Sequence, residues 1–318
     1  MDRLIVAGQL FDNYAANLSQ YFPHYTNKFL CPLCLTLFPK DAIESKELTL
    51  EHIIPSEVGG RLVTLTCSKC NSGDGSQLDA HLIQRFRIED ILTGKSDKPL
   101  EVRVSLGQGE FGANYFLSNQ QNPSIQIIGI PKISNPKLLE AAVRELESGV
   151  SQFSIKGNLG YKELPSRVAA LRMAYLLAFS YFGYGYVLYQ NLQPIREQIA
   201  HPEYETDSAK SLLLLENTPA RNVIALLKEP PDLRCFLAII EIQTSVKRNL
   251  GVVLPGPDDE SKDIYQRWAS AASANIQNKA RIDIIKFDRA YISDPEYRFL
   301  PAKIWIGQVN IGDASGTE

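Results

Sequence analysis

Apolar residues recur every four positions at Leu10, Tyr14, Leu18 and Phe22, which predicts an amphipathic helix over residues 8–21, ended by Pro23. The period then changes. Glu47-Leu48-Thr49-Leu50 alternates as a short strand does, Pro55 and Gly59-Gly60 turn the chain, and Leu62, Val63 and Leu65 fit a return strand. Helical spacing resumes over residues 76–92, with Leu78, Leu82 and Phe86 on one stripe and Gly94 as a stop. The polar run Lys95-Ser96-Asp97-Lys98 marks a domain boundary, so residues 1–96 and 97–318 are expected to be separate domains.

Beyond the boundary, Val102, Val104 and Leu106, then Tyr115 and Leu117, then Ile125, Ile127 and Ile128 read as strands, with glycine-rich turns over residues 107–112. Residues 135–148 fit a helix with Leu138, Ala142 and Leu146 on one face, and another strand is expected near Phe153. Residues 165–190 form the most apolar stretch. Arg172 interrupts its start, Gly183 and Gly185 its end, and five tyrosines lie along it, so a buried core helix is expected and no membrane span. A short helix around Ile195, Arg196 and Ile199 should end before Pro202. Residues 223–227 and 236–240 flank Pro230-Pro231-Asp232 as a hairpin would, and Val252-Val253-Leu254 precedes another turn. A helix over 259–275, a strand over 282–287 and a disordered tail from Gly312 complete the expected order. The fold class is α+β: a small N-terminal domain followed by a larger mixed one.

The chain has 318 residues, 44% of them hydrophobic and 22% charged, an ordinary composition for a soluble protein. Met1 to Leu10 lacks the apolar core of a signal peptide, which points to the cytoplasm. The net charge is −3, so nucleic-acid contact requires a local basic patch and modest nonspecific affinity is expected.

Four of the five cysteines change the picture. Cys31-Pro32-Leu33-Cys34 and Cys67-Ser68-Lys69-Cys70 are two CxxC pairs, each placing two thiolates on one tight turn. Two such knuckles supply the four ligands of a closed, structural zinc, and reduced cytosolic thiols count against disulfides. Between the pairs lies Glu51-His52-Ile53-Ile54-Pro55, and Asn71 follows the second pair directly. With its zinc, this segment of residues 1–96 is expected to fold alone.

These residues resemble an HNH endonuclease of the zinc-stabilised ββα-metal type, and the arrangement is similar to the phage endonuclease VII family. The resemblance covers residues 25–95. It implies metal-dependent hydrolysis of phosphodiester bonds, with nucleic acid as partner, double-stranded DNA above all. It gives His52 as the general base, and Glu51 and Asn71 as ligands of one catalytic divalent ion. A carboxylate and an amide oxygen suit Mg²⁺ or Mn²⁺. A neutral imidazole can take a proton from water near pH 7.

Two positions depart from the family pattern. Many HNH enzymes brace the histidine loop with an asparagine in the return strand; Arg61-Leu62-Val63-Thr64 stands here, leaving Thr64 or backbone groups to do so. The third motif position, often histidine, is Asn71. Asp74 and His81 are further candidate metal ligands, and His81 and Arg85 are candidates for phosphate contact. The bland readings place Asp74 in a turn between Gly73 and Gly75 and leave His81 half-buried on a helix. Nothing in residues 100–318 carries recognisable chemistry; His201, Cys235 and, before it, His24 read as structural or surface residues. That region is expected to recognise a target, bind a partner or receive a signal. The competing readings are a noncatalytic zinc module that binds nucleic acid or protein, and a nuclease effector controlled by its C-terminal domain.

Overall fold

The structure is a computed structural model that describes residues 2–107, 109–118, 124–149, 152–157, 159–215, 221–256, 263–273, 281–284, 292–294 and 297–300. In chain order the first elements are α1 (Arg3–Tyr21), β1 (Phe29–Leu30), β2 (Leu37–Phe38), β3 (Leu48–His52), β4 (Val63–Cys67) and α2 (Ser76–Leu92). Then come β5 (Leu100–Leu106), β6 (Gly109–Ser118), β7 (Ser124–Gly129), α3 (Pro136–Glu147) and β8 (Ser154–Gly157). The last are α4 (Glu163–Phe182), α5 (Tyr184–Val187), α6 (Gln193–Ala200), β9 (Leu212–Leu215), β10 (Val223–Glu229), β11 (Cys235–Gln243), β12 (Lys247–Leu254), α7 (Ile264–Ser273) and β13 (Arg281–Ile284). The class is mixed α+β with antiparallel sheets. The expected tail from Gly312 lies outside the described residues.

Contacts divide the chain differently from the boundary expected near residue 96. One compact unit is drawn from Met1–Leu82, Glu163–Ile242 and Arg248–Glu318, the other from Ile83–Lys162 and Gln243–Lys247. The polar break at Lys95–Lys98 falls within the second of these units; solvation marks loops and says nothing of which segments pack together.

In the first unit α4 is the centre. Residues 168–182 are buried on every face, as the all-round apolar pattern requires. Tyr14 of α1 stacks on Phe179 of α4 with ring centroids 4.3 Å apart, and Phe182 stacks on Phe236 of β11 at 5.1 Å. Among the described residues no helix is long and apolar enough to cross a membrane. Helix α1 starts at Arg3, five residues earlier than the apolar period implied, because the Asp2 carboxylate accepts from the Leu4 amide at 2.9 Å and caps it. The Pro230-Pro231-Asp232 turn joins β10 to β11 in register, Leu227 opposite Cys235 and Val223 opposite Ile239. These strands lie in a five-stranded sheet of order β13-β10-β11-β12-β9.

The second unit has a four-stranded sheet, order β7-β6-β5-β8, with Val102, Val104, Phe111 and Ala142 in its core. Only Gly107 and residue 108 separate β5 from β6; Gly109 is already strand, and a Cβ there would lie 2.7 Å from the Leu138 carbonyl of α3. Of the expected α3 stripe Ala142 is buried, while Leu138 and Leu146 are exposed. The buried Asp90 of α2 accepts from Thr244 Oγ1 at 2.5 Å and from the Ser245 amide at 2.9 Å, closing the Gln243–Lys247 turn within this unit.

Candidate metal centre and active site

The cysteine centre is built from two turns. In the first, the Cys31 amide donates to the Thr36 carbonyl and the Leu35 amide to the Cys31 carbonyl, both at 2.9 Å, which wraps the chain around the Cys31 sulfur. In the second, Cys67 ends β4 opposite Leu48, and Cys70 opens a wide helical turn, Cys70–Gly75, that runs into α2. All four sulfurs lie within 4.8 Å of one another. Cys34 Sγ and Cys67 Sγ are 3.7 Å apart; a tetrahedral zinc with Zn–S bonds of about 2.3 Å needs sulfurs about 3.8 Å apart. The four cysteines therefore form a metal-binding cluster whose donors and spacing suit zinc. Four thiolates this close repel one another unless a cation stands among them.

Two tyrosines from distant helices hold the first knuckle. Tyr184 Oη donates to the Leu30 carbonyl at 2.6 Å and accepts from the Leu30 amide at 2.9 Å, and Tyr175 Oη donates to the Pro32 carbonyl at 2.7 Å. Both flank Cys31. Neither contact was foreseen from the sequence.

β3 and β4 pair with Glu51 opposite Thr64 and His52 opposite Val63. Strand alternation sends Glu51 and His52 to opposite faces; Glu51 is buried and His52 half-buried. The loop after His52 is tight. Gly59 has φ +91°, and a Cβ on Gly60 would collide with the Ile54 carbonyl, so both glycines are required. Where bracing by Thr64 or the backbone was expected, Ile53 N donates to Leu62 O at 3.0 Å across the loop, while the buried Thr64 hydroxyl bonds Tyr14 Oη of α1 at 2.8 Å.

Residues 31–87 match the HNH endonuclease family model. No curated protein and no solved structure matches the chain. The HNH-like stretch carries the cysteine cluster, β3, β4 and most of α2, so this part of the chain is a nuclease-like zinc module.

Within that module the structure places the expected site residues unevenly. The Asn71 amide nitrogen donates to Thr49 Oγ1 at 2.9 Å and to the Leu50 carbonyl at 3.1 Å. A carbonyl can only accept, so the nitrogen is fixed toward β3 and the Asn71 oxygen is the end left over. Glu51 is held by a residue outside the matched stretch. Arg172 Nη2 of α4 donates to Glu51 Oε1 at 2.7 Å, with side chains 1% and 7% exposed. Arg172 Nη1 also lies 3.6 Å from Asp79 Oδ2 of α2. Burial holds the Glu51 carboxyl above the ordinary carboxylate range, and Arg172 offsets only part of that rise. Burial pushes Asp79 up to about 7 against the pull of Arg172, with Glu51 adding to the rise.

His81 is half-buried on α2 and takes no part in the contacts described for Glu51 or Asn71. Arg85 pairs with Glu89 at 3.1 Å and lies over the Phe86 ring. The Asp74 side chain lies outside the described residues. Arg172 and Asp79 are the residues the sequence reading missed. The sequence carries a signal for Arg172, the single charge within the apolar run 168–189.

Proposed function

We propose that the HNH-like module is the catalytic part of a metal-dependent endonuclease that hydrolyses phosphodiester bonds in double-stranded DNA. The observation that carries the reading is the Asn71 amide, whose nitrogen donates to β3 beside Glu51-His52 and leaves its oxygen as the end that can ligate an ion. Together with the Glu51 carboxylate it supplies hard oxygen ligands, which suit Mg²⁺ or Mn²⁺ rather than a second zinc. A divalent ion held there would offset charge on the scissile phosphate and on the leaving oxygen. His52 takes the proton of the attacking water, and its half-buried place at the end of β3 keeps the imidazole within reach of solvent. The β3–β4–α2 order fits the ββα-metal arrangement expected from the resemblance.

The test is cleavage of supercoiled plasmid by full-length, zinc-loaded protein with Mg²⁺ or Mn²⁺, beside a matched RNA. His52→Ala should lower the rate about 10²–10⁴-fold while zinc content and melting stay as in the wild type. Equal cleavage by folded His52→Ala would overturn the reading. The buried Glu51–Arg172 pair is the observation that favours a noncatalytic zinc module, since it gives Glu51 a structural partner. Absence of cleavage with any divalent ion, alongside retained nucleic-acid binding, would favour that second reading.

A further inference from the structure

A buried arginine is costly unless every nitrogen is satisfied. Arg172 is 1% exposed, yet its Nε and Nη1 have no hydrogen-bond partner, and neither does the buried Asp79 Oδ1. Stability alone is a poor reason for such a group, since a buried ion pair replaced as a whole by well-packed apolar residues often loses nothing. Its contacts give another reason. Nη2 lies 2.7 Å from Glu51 Oε1 and 3.5 Å from the Cys70 carbonyl, and Nη1 lies 3.6 Å from Asp79 Oδ2. Glu51 stands on β3, Cys70 immediately precedes Asn71, and Asp79 stands on α2. One guanidinium therefore touches each segment that bears on the proposed ion site.

We propose that Arg172 is a positioning residue of the ion site, with Asp79 as its second anchor: it fixes the Glu51 carboxylate relative to Asn71 and completes from α4 a site that residues 31–87 do not complete alone. The planar fork suits this role, because one rigid group can hold two carboxylates and a carbonyl at fixed angles, which a lysine ammonium on a flexible stem does not. A group that orients a metal ligand from behind typically changes metal affinity about 10–100-fold when removed. The inference rests on the reading of Glu51 and Asn71 as ligands.

The experiment measures Mn²⁺ binding by isothermal titration on full-length, zinc-loaded protein, with zinc content and melting temperature recorded for every variant. Asn71→Ala first tests the underlying reading. Arg172→Met should weaken Mn²⁺ at least about tenfold with the zinc retained, and Arg172→Lys should fall between it and the wild type. Adding Arg172→Met to Glu51→Gln should cause no further loss, because Arg172 acts through Glu51. A merely structural arginine would lower the melting temperature and leave the Mn²⁺ affinity of the folded protein alone. If Arg172→Met does not fold, Arg172→Lys decides: weakened Mn²⁺ at wild-type zinc content supports the proposal, and unchanged affinity overturns it. If Asn71→Ala weakens Mn²⁺ and folded Arg172 variants do not, the positioning role fails alone. If Asn71→Ala changes nothing, the ligand assignment fails and the positioning role falls with it.

Discussion

The cysteine cluster and the Glu51 carboxylate lie in the same compact unit, but they are assembled across different distances along the chain. All four sulfurs come from residues 31–70, on two short turns, and lie within 4.8 Å of one another. Glu51 finds its counter-charge 121 positions away, on a helix that sequence periodicity marks only as buried. A metal knuckle is a local device, legible as a motif. A buried ion pair is a tertiary device, and one strand's pattern cannot name its partner. Even the cluster is only half local, since its ligands are near neighbours while Tyr175 and Tyr184 hold its first turn from 143 and 154 positions away. Four experiments would break or sharpen this contrast.

The largest effect should come from the local device. Cys31→Ser removes a ligand that is fully buried. Apparent binding free energies of structural zinc in small peptides are about 10–16 kcal/mol at neutral pH, more than the net stability of most domains. The variant should lose its zinc by mass spectrometry and its cooperative melting in the first unit. A folded variant with no bound zinc would show that the cluster is dispensable and that α4 carries the unit.

Next comes the fragment of residues 1–96, expected from the sequence to fold on its zinc alone. The contacts argue against independence. Tyr14, Phe29 and Leu30 are buried, and Tyr14 stacks directly on Phe179 of α4. Burying an aromatic side chain contributes roughly 1.5–3 kcal/mol, so exposing several leaves the zinc to hold an incomplete core. With zinc present the fragment should give no cooperative unfolding transition and should expose apolar surface to a hydrophobic dye. A cooperative melt would restore the boundary near residue 96.

A smaller effect tests the distant half of the zinc site. Cys31 directs its amide to Thr36 across the β1–β2 pair, so the neighbouring Leu30 directs its amide and carbonyl the other way, where the Tyr184 hydroxyl meets both. Tyr184→Phe leaves that buried edge unsatisfied. Each such group costs about 1–3 kcal/mol, and two are stranded, so denaturant unfolding should show a loss of roughly 2–6 kcal/mol, with the zinc retained. A neutral outcome would mean that the knuckle stands without α5.

These distances also account for what was legible. The strands over 223–227 and 236–240 were read correctly because alternation and a proline turn are local. The same holds for β3, β4 and α2, and for α4 as a buried helix. The compact units were not legible, because nothing in a polar loop at 95–98 reports that residues 163–242 return to pack with the first 82. Asp79 was passed over because it sits beside Leu78 on an otherwise ordinary helix, and only the arrival of Arg172 gives it a partner. For Asn71 the motif named the residue, and the hydrogen bonds to Thr49 and Leu50 supplied what a motif cannot, which end of the amide faces away from the strand.

The smallest effect concerns the brace behind Glu51. Thr64, its partner across β3–β4, is fully buried, and its hydroxyl meets Tyr14 Oη at 2.8 Å. Burial drives the Tyr14 phenol well above its ordinary range, so the pair is a neutral hydrogen bond over the whole working pH range. A neutral buried bond contributes only about 0.5–1.5 kcal/mol net, whereas stranding one partner costs about 1–3 kcal/mol. Tyr14→Phe and Thr64→Val should therefore each destabilise the protein by roughly the latter amount in urea unfolding. The double variant should lose less than the sum of the two, because removing both polar groups strands neither. Since the bond lies between α1 and β4, and the Glu51 and Asn71 contacts run through other atoms, Mn²⁺ affinity and plasmid cleavage by folded variants should stay within about twofold of wild type. Additive losses would show that the two hydroxyls do not depend on each other. A large fall in Mn²⁺ affinity would place the brace, like Arg172, among the groups that orient Glu51, and would extend the distant support of the site to α1.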